Sequence, residues 1–390
     1  MRYQCRIKHG TSSMTAKSIR GPFALAALAA TLVLGACASA PVETAPPVYT
    51  ERGPNQVGVL TLNLSDRKVE VYYPAAAGAA QGRTNDVYLQ TEPVPPMLAG
   101  MLKRIPETVD LKVTIPAFRD APAAHGSSYP LVIFSHGAGG WRSGHGNLLS
   151  GIASWGFVVA SVDFTEYGFA SFASPGARDM NARRTASAAA LDAALNLMEK
   201  ANAEGPLKGL IDTSSIGAVG HSAGGGTMFA AIDNPRIDTV VGWAPVPPQG
   251  PGAQPKPTMI VAAAIDSGIS VESLTAAYDK LNAPKRLVIV PRMGHNAFSD
   301  SCLSIQSGND LISAVKQMGL PVPAGLLDLA QNGCRPGDLD TRTGWAIIQH
   351  VTVAHLRSSL NVPGASPAIA TDLGAAYKDT PFEAREVSTQ

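Results

Sequence analysis

The stretch that decides the fold is IGAVGHSAGGGTMF, residues 216–229. An apolar run leads into Gly220-His221-Ser222-Ala223-Gly224, and small residues suited to a helix follow. In a G-x-S-x-G elbow the serine lies on a strained strand-to-helix turn, with its hydroxyl clear of the sheet. Bulk two residues before or after the serine would collide with the neighbouring strand and helix, so glycine belongs there. Although the chain holds 38 glycines, this context favours an elbow at Ser222 over a plain glycine-rich turn.

From residue 130 onward, short apolar runs alternate with helical patterns. The runs predict buried parallel strands at 131–134, 158–162, 216–219, 239–243, 259–264 and 287–290. Helices are expected near 146–154, 179–200, 223–232 and 271–282, with a last amphipathic helix at 341–360. This alternation is typical of an α/β sheet that is covered by helices on both faces. One domain, residues 57–362, accounts for it, and residues 363–390 form a C-terminal tail.

The residues before this pattern have a different character. Segments 57–64 and 68–73 alternate apolar and polar residues around a Ser-Asp turn, which predicts an antiparallel β-hairpin. Residues 75–129 are irregular apart from one short apolar helix candidate, residues 96–104. The predicted fold is therefore a mostly parallel sheet with an antiparallel N-terminal hairpin.

The N-terminus has the features of an export signal. Basic residues precede an apolar segment, residues 23–34, and the small residues that follow end in LGAC, residues 34–37. We expect a lipoprotein signal over residues 1–36, a lipid on Cys37 and a flexible tether over 37–56. The alternative is an ordinary secretory signal that is cut near Ala38 or Ala40. Either case predicts an exported protein, held at the cell envelope by a lipid anchor or secreted.

Charge and cysteine usage agree with export. Removing residues 1–36 changes the basic-to-acidic balance from 31 against 30 to 26 against 30, and no basic run suggests nucleic-acid binding. Cys5 lies in the leader and Cys37 directly after it, so only Cys302 and Cys334 remain in the folded part, an even pair in an oxidising compartment. A disulfide between them would stabilise the fold by about 3–4 kcal/mol. The alternative is two buried free thiols.

A serine nucleophile needs a base, and in this fold the chain order is serine, acid, histidine. Three histidines follow Ser222. His350 and His355 lie in the last amphipathic helix, where a packing or surface role is expected. His295 lies in a loop directly after the strand at 287–290, so it is predicted as the base.

Asp266 is predicted as the acid that orients this histidine. It follows the apolar strand at 259–264, and strand ends are where such sheets place their chemistry. The other carboxylates between Ser222 and His295 belong to a turn, a strand start and a helix: Asp233, Asp238, Glu272 and Asp279. The alternative is that Asp266 is only a turn or cap residue.

Two backbone N–H groups are expected to form an oxyanion hole. One follows the nucleophile, at Ala223, and the other is assigned to Ala138 in the glycine-rich loop FSHGAGGW, residues 134–141. We expect His136 to order this loop through a side-chain hydrogen bond. No clustered His, Cys and Asp spacing or phosphate-binding loop is present in the sequence, so neither a metal nor a cofactor is expected.

Several motifs together resemble those of bacterial platelet-activating-factor-acetylhydrolase-like and dienelactone-hydrolase-like serine esterases of the α/β-hydrolase superfamily. They are VYYP at 71–74, YPLVIFSHG at 129–137, GGWR at 139–142, GHSAGG at 220–225 and GHNAF at 294–298. The resemblance covers roughly residues 57–300. It implies the α/β-hydrolase fold and ester hydrolysis.

The chain departs from these families at two positions. Eukaryotic acetylhydrolases carry the acid after the strand that follows the elbow strand, and here that place reads Trp243-Ala244-Pro245. The position of Asp266 is instead similar to polyester hydrolases and cutinase-like enzymes. Dienelactone hydrolases use a cysteine nucleophile, whereas this chain has Ser222.

The expected function is hydrolysis of small-molecule or lipid carboxylic esters through an acyl-enzyme. The alternatives are a polyester or cutinase-like hydrolase and a non-catalytic surface lipoprotein that keeps the fold for binding. Met101, Leu102 and Trp141 are predicted to line the acyl pocket. Met101 and Leu102 lie on a short apolar helix without a strand partner, and Trp141 follows the oxyanion loop. The alternative for residues 96–104 is packing on the outer core.

Overall fold

The structure is a computed structural model that describes residues 49–169, 171, 180–322, 324–363, 380 and 382–388. Its strands are β1 (Val57–Asn63), β2 (Lys68–Pro74), β3 (Asp86–Leu89), β4 (Lys112–Ile115), β5 (Phe118–Arg119), β6 (Tyr129–Ser135), β7 (Val158–Val162), β8 (Ile211–His221), β9 (Thr239–Trp243), β10 (Thr258–Ala263), β11 (Lys285–Val290) and β12 (Glu383–Val387). Its helices are α1 (Ala99–Leu102), α2 (Gly146–Ser154), α3 (Met180–Ala203), α4 (Ala223–Ala230), α5 (Val271–Lys280), α6 (Ser301–Gln306), α7 (Leu311–Gln317), α8 (Ala324–Gln331) and α9 (Thr341–Ser359).

Within these residues, one ten-stranded sheet has the order β12-β11-β10-β9-β8-β6-β7-β2-β1-β5. The strands from β7 to β11 in this order are parallel to one another. The hairpin β1–β2 is antiparallel and joins the sheet through β7, and β3 and β4 form a separate antiparallel pair. The predicted fold class is confirmed.

Alternating side chains of the central strands enter two separate cores. On β6, Val132 and Phe134 belong to the core beneath α2 and α9, whereas Leu131 and Ile133 belong to the core beneath α3, α4 and α5. Successive residues of a strand point to opposite faces, so a strand that is covered on both faces is apolar throughout. This is why these strands appear in the sequence as continuous apolar runs.

The last long helix, α9, is largely buried, and its histidines are structural, as expected. His350 is fully buried, and the Nδ1 atom of His350 accepts a hydrogen bond from the Tyr49 N–H (3.3 Å). The His355 ring lies between Thr239 Oγ1 (2.8 Å from Nε2) and Arg286 Nη1 (2.9 Å from Nδ1).

The packed part of the chain extends beyond both predicted ends of the domain. Tyr49, within the segment predicted as a tether, is buried and packs edge-on against Trp155, with 4.8 Å between ring centroids. Gly53 N–H donates to Ser154 Oγ at the end of α2 (2.7 Å). In the predicted tail, β12 pairs antiparallel with β11 and so satisfies backbone groups that an edge strand would otherwise leave open.

The helix candidate at 96–104 is shorter than expected, with a 3-10 turn at Pro96–Leu98 followed by α1. The predicted signal and the lipidation residue, Cys37, lie outside the described residues. In the part of the chain that the structure describes, no helix combines the length and apolar character that a membrane span requires.

Candidate active site

Ser222 lies between the end of β8 and the start of α4. Its backbone, with φ 55° and ψ −119°, is in a conformation that residues other than glycine rarely adopt. Its flanking glycines are required by close backbone contacts. A Cβ atom at Gly220 would lie 2.4 Å from the carbonyl oxygen of Gly224, and one at Gly224 would lie 2.2 Å from that of Ser135. The strained turn therefore depends on both glycines of the motif.

The three residues predicted as nucleophile, base and acid lie together at the carboxyl ends of parallel strands. Ser222 Oγ is 2.9 Å from His295 Nε2, and His295 Nδ1 is 2.6 Å from Asp266 Oδ2. A histidine that donates its Nδ1–H to a carboxylate keeps a lone pair on Nε2. His295 is thus oriented to accept the proton of the Ser222 hydroxyl.

The Asp266 carboxylate is held on both oxygens. Oδ2 faces His295, while Oδ1 accepts hydrogen bonds from the N–H groups of Gly268 (2.8 Å) and Ile269 (2.9 Å). The side chain is 1 % exposed. Asp266 therefore satisfies both interpretations of the sequence: it closes a turn after β10, and it contacts the histidine.

The loop after β6 brings further N–H groups to the same place. Within the described residues, Gly139 N–H donates to Tyr167 O (2.8 Å) and Gly140 N–H to Gly137 O (3.0 Å), while Ala138 N–H is used by no hydrogen bond. Ala138 lines the cleft above Ser222, and Ala223 opens α4, where N–H groups have no partner within the helix. This placement leaves both predicted N–H groups able to donate to an oxygen near Ser222.

His136 orders this loop, as expected. Its Nδ1 lies 2.9 Å from the carbonyl oxygen of Gly137, and its Nε2 accepts a hydrogen bond from Phe164 N–H (3.0 Å). Burial lowers the pKa of His136, which agrees with a neutral ring in this position.

A cleft of about 180 Å³ opens over Ser222 and His295. Trp141 lines this cleft, whereas Met101 and Leu102, which were also predicted to line the acyl pocket, are not among its lining residues. The α1 segment lies at the surface instead, with Met97 82 % and Met101 41 % exposed. One wall of the cleft is formed by Tyr88 of β3 and by Gln90, the residue after β3, and Tyr88 packs edge-on against Trp141 with 5.7 Å between ring centroids.

Sequence reasoning missed Tyr88 and Gln90, because the local pattern points to the opposite side of the strand. In the run DVYLQ, residues 86–90, a period of two places Tyr88 and Gln90 on one side and Val87 and Leu89 on the other. Apolar character favours burial of Val87 and Leu89, but these two side chains are each 46 % exposed, whereas Tyr88 and Gln90 are buried. The contacts of Tyr88 and Gln90 with the cleft come from distant parts of the chain, which the local sequence does not reveal.

Two further histidines form a hydrogen-bonded chain behind the nucleophile. His221 Nε2 donates to the carbonyl oxygen of His295 (3.0 Å), so its Nδ1 is free to accept from His145 Nε2 (3.2 Å). Burial lowers the pKa of His145 to about 3 and holds the pKa of His221 well below its ordinary value. Both rings are therefore neutral at pH 7 and add no positive charge beside His295.

A second buried acid, Asp300, lies behind the cleft wall. Its carboxylate accepts hydrogen bonds from the Tyr88 hydroxyl (3.2 Å) and from Asn147 N–H in the first turn of α2 (3.3 Å). Burial raises the pKa of Asp300 to about 7.

Cys302 and Cys334 form a disulfide in the structure, with 4.8 Å between their Cα atoms. It joins α6, which follows the His295 turn, to the segment after α8. Among the described residues, no group of three or more His, Cys, Asp or Glu side chains is placed to hold a metal ion.

Two family models match parts of this chain. A PET hydrolase-like model matches residues 132–318, and a model of platelet-activating factor acetylhydrolase, isoform II, matches residues 45–174. The first match includes Ser222, Asp266 and His295, and the second ends before the elbow.

Curated relatives and solved structures agree with these models. Platelet-activating factor acetylhydrolases of Canis lupus familiaris and Cavia porcellus are 28% identical over 157 and 154 residues, which is 31% of this chain and 35% of each relative. The match thus spans about a third of their length. Ferulic acid esterase from Streptomyces cinnamoneus shares the fold, with a TM-score of 0.59 at 20% identity, over 85% of this chain and 97% of that one. The resemblance to platelet-activating-factor-acetylhydrolase-like and dienelactone-hydrolase-like proteins of the α/β-hydrolase superfamily is confirmed.

Proposed function

We propose that this chain, a member of the α/β-hydrolase superfamily, is a carboxylic-ester hydrolase. The observation that carries the proposal is the hydrogen-bonded series Asp266–His295–Ser222 at a strained elbow, beneath an open cleft. The similarity to acetylhydrolases and the fold shared with a ferulic acid esterase support it.

In this proposal Ser222 Oγ attacks the ester carbonyl carbon while His295 Nε2 takes the hydroxyl proton. The carbonyl oxygen becomes an oxyanion that accepts hydrogen bonds from the N–H groups of Ala138 and Ala223. Each such donor stabilises the transition state by about 3–4 kcal/mol. The C–O bond to the alcohol then breaks, and the leaving alcohol takes the proton from His295.

Water completes the cycle. It gives a proton to His295 Nε2 and attacks the acyl-enzyme carbonyl, and the returning proton releases Ser222 and the carboxylic acid. Asp266 keeps the imidazole in the tautomer that both steps need and stabilises the imidazolium that forms in each.

A fluorophosphonate probe tests the proposal directly, because it reacts with an activated serine. The expected result is one labelled peptide containing Ser222, with no labelling of Ser222→Ala. Absence of labelling in the folded wild-type protein would overturn the proposal and favour a non-catalytic surface protein with the same fold.

A second candidate function is polyester hydrolysis, supported by the PET hydrolase-like match over residues 132–318. Two apolar side chains near the site are exposed. Val246 N–H donates to the carbonyl oxygen of Ser222 (2.9 Å), and Ile265 directly precedes Asp266, so a polymer surface over the site would contact both side chains. Release of acid from a polyester film, relative to turnover of a soluble nitrophenyl ester, separates this function from small-ester hydrolysis.

We also propose that the protein is exported and that Cys37 carries the lipid that attaches it to the cell envelope. The motif LGAC at 34–37 supports this. Fractionation of cells that express wild type and Cys37→Ser tests it. Release of the variant or accumulation of its precursor is expected, whereas equal membrane association of the two mature proteins would contradict the lipid anchor.

A further inference from the structure

Asn332, one residue beyond the end of α8, joins the two loops that carry the acid and the base. Its Oδ1 accepts hydrogen bonds from His295 N–H (2.7 Å) and from Ser267 N–H (3.3 Å), and its Nδ2 donates to the carbonyl oxygen of Ile265 (2.9 Å). Its backbone oxygen accepts from Asn296 N–H (2.9 Å). The residue is 3 % exposed.

These contacts surround the catalytic pair without touching its reacting atoms. Ile265 and Ser267 are the neighbours of Asp266 on either side, and the other contacts are made with the backbone of His295 and of the residue after it. The ladder between β10 and β11 ends at Ala263 and Val290. Beyond it, only a few main-chain bonds link the two loops directly, such as Ile265 N–H to Met293 O (2.9 Å).

We propose that Asn332 is a positioning residue that sets the distance between Asp266 and His295; this rests on the function proposed above. A primary amide is suited to the task because it accepts with one atom and donates with the other, so it holds N–H groups on both loops and a carbonyl on one. Burial shields these bonds from competition with water, so they fix the loops more firmly than surface bonds would.

The structure holds Asn332 itself in place from both sides. The backbone of Gly333 is so close to Gly294 that a Cβ atom at Gly294 would lie 2.4 Å from Gly333 N. One residue further on, Cys334 is joined to Cys302 of α6 by the disulfide. The loop of Asn332 is thus anchored to the segment that precedes His295 and to the helix that follows it.

Two variants test the proposal. Asn332→Ala removes every side-chain contact to the two loops. Asn332→Asp keeps the volume and the acceptor toward His295 N–H but loses the donor toward Ile265, and it carries the test if the alanine variant does not fold. Asn202→Ala is the matched control, because Asn202 Oδ1 accepts from Ile211 N–H (2.9 Å) at the opposite end of β8, away from the site.

The kinetic measurement is kcat and KM for a nitrophenyl ester, with Tm recorded in parallel. We expect Asn332→Ala to lower kcat by about 10²-fold, as for a displacement of about 1 Å between reacting groups, while KM changes by less than about 3-fold. Asn332→Asp should lower kcat less. Asn202→Ala should lower Tm and leave kcat unchanged.

A second measurement does not depend on turnover. The proton between His295 Nδ1 and Asp266 gives a low-field NMR signal, which Asn332→Ala should broaden or remove and Asn202→Ala should not. An unchanged signal together with wild-type kcat overturns the positioning role. If the variant loses the signal while even the wild type shows no esterase activity or fluorophosphonate labelling, the positioning role stands and the proposed function fails.

Discussion

Asp266 and Asp300 are both buried near the cleft, but they have different partners. Asp266 accepts hydrogen bonds from two backbone N–H groups and faces the imidazole of His295, which becomes positive when it takes a proton. Asp300 meets a phenol hydroxyl and a helix N-terminal N–H, which remain neutral. A carboxylate that compensates a developing charge serves chemistry, whereas one that caps a helix serves structure. The predictions below separate these two roles.

The largest expected effect comes from Ser222→Ala, which removes only the hydroxyl. Its residual kcat is the baseline with which the variants of both acids are compared. We expect kcat to fall by about 10⁶-fold, because members of a catalytic triad act as a unit. His295→Ala should fall by a similar factor. Turnover of a nitrophenyl ester by protein purified free of host esterases is the measurement, and circular dichroism checks the fold. Substantial residual turnover in a folded Ser222→Ala protein would show that the nucleophile is elsewhere.

The comparison between the acids is tested by the same substitution at each position. Asp266→Asn should lower kcat by about 10⁴-fold, because the amide favours the wrong tautomer of His295. Asp300→Asn should leave kcat within a few-fold of wild type, since Asp300 contacts Tyr88 of the cleft wall and not the imidazole of His295. Equal losses in the two variants would mean that Asp300 also acts on the reaction, and near wild-type activity of Asp266→Asn would place the acid elsewhere.

Substitution of Asp300 should instead change how the stability of the fold depends on pH. Burial raises its pKa from an ordinary 3.8 to about 7, so the folded protein holds this proton more tightly than the unfolded chain. Below about pH 4 the group is protonated in both states and its burial carries no penalty. Between about pH 4 and 7 the unfolded chain releases the proton first, and the folded state loses stability. A difference of three pKa units corresponds to about 4 kcal/mol.

Asp300→Asn should remove this loss, because the amide does not titrate. Urea unfolding at pH 5 and pH 8 is the measurement, and the quantity compared is the change in unfolding free energy for each protein. Wild type should lose more stability than the variant on going to pH 8. The buried histidines titrate alike in both proteins and cancel in the difference. Parallel changes would mean that Asp300 is charged in the folded state throughout.

The two acids also show what the sequence could and could not predict. Asp266 follows an apolar parallel strand, and parallel strands place their carboxyl ends together, so local pattern was enough to bring it to Ser222 and His295. Asp300 meets Tyr88 across 212 positions of the chain, in a separate two-stranded sheet whose docking no local pattern describes. Asn332 is recognisable only from its contacts with two loops. The edge strand β12, with the polar sequence EAREV, has no apolar alternation to predict it.

The smallest expected effect concerns the side chains that line the cleft and their influence on acyl-chain preference. Trp141 and Tyr88 line the cleft, whereas Leu102 is half-buried on α1 and does not. Trp141→Ala should therefore change the ratio of kcat/KM for short and long acyl esters by about 10-fold, the scale on which a hydrophobic pocket discriminates. Leu102→Ala should leave that ratio unchanged and serve as the control.

The measurement is kcat/KM for nitrophenyl esters across a series of acyl lengths, with Tm for each variant. If Trp141→Ala lowers Tm but leaves the dependence of kcat/KM on acyl length unaltered, the role of Trp141 is to pack against Tyr88 and not to select the acyl chain. If Leu102→Ala changes the dependence of kcat/KM on acyl length, α1 contacts the substrate. The exposed side chains of Met97 and Met101 would then reach the substrate by closure of this segment over the cleft. The cleft would then be lined by two segments, α1 and the segment of Tyr88, and Asp300 would hold only the second of these, through its hydrogen bond with Tyr88.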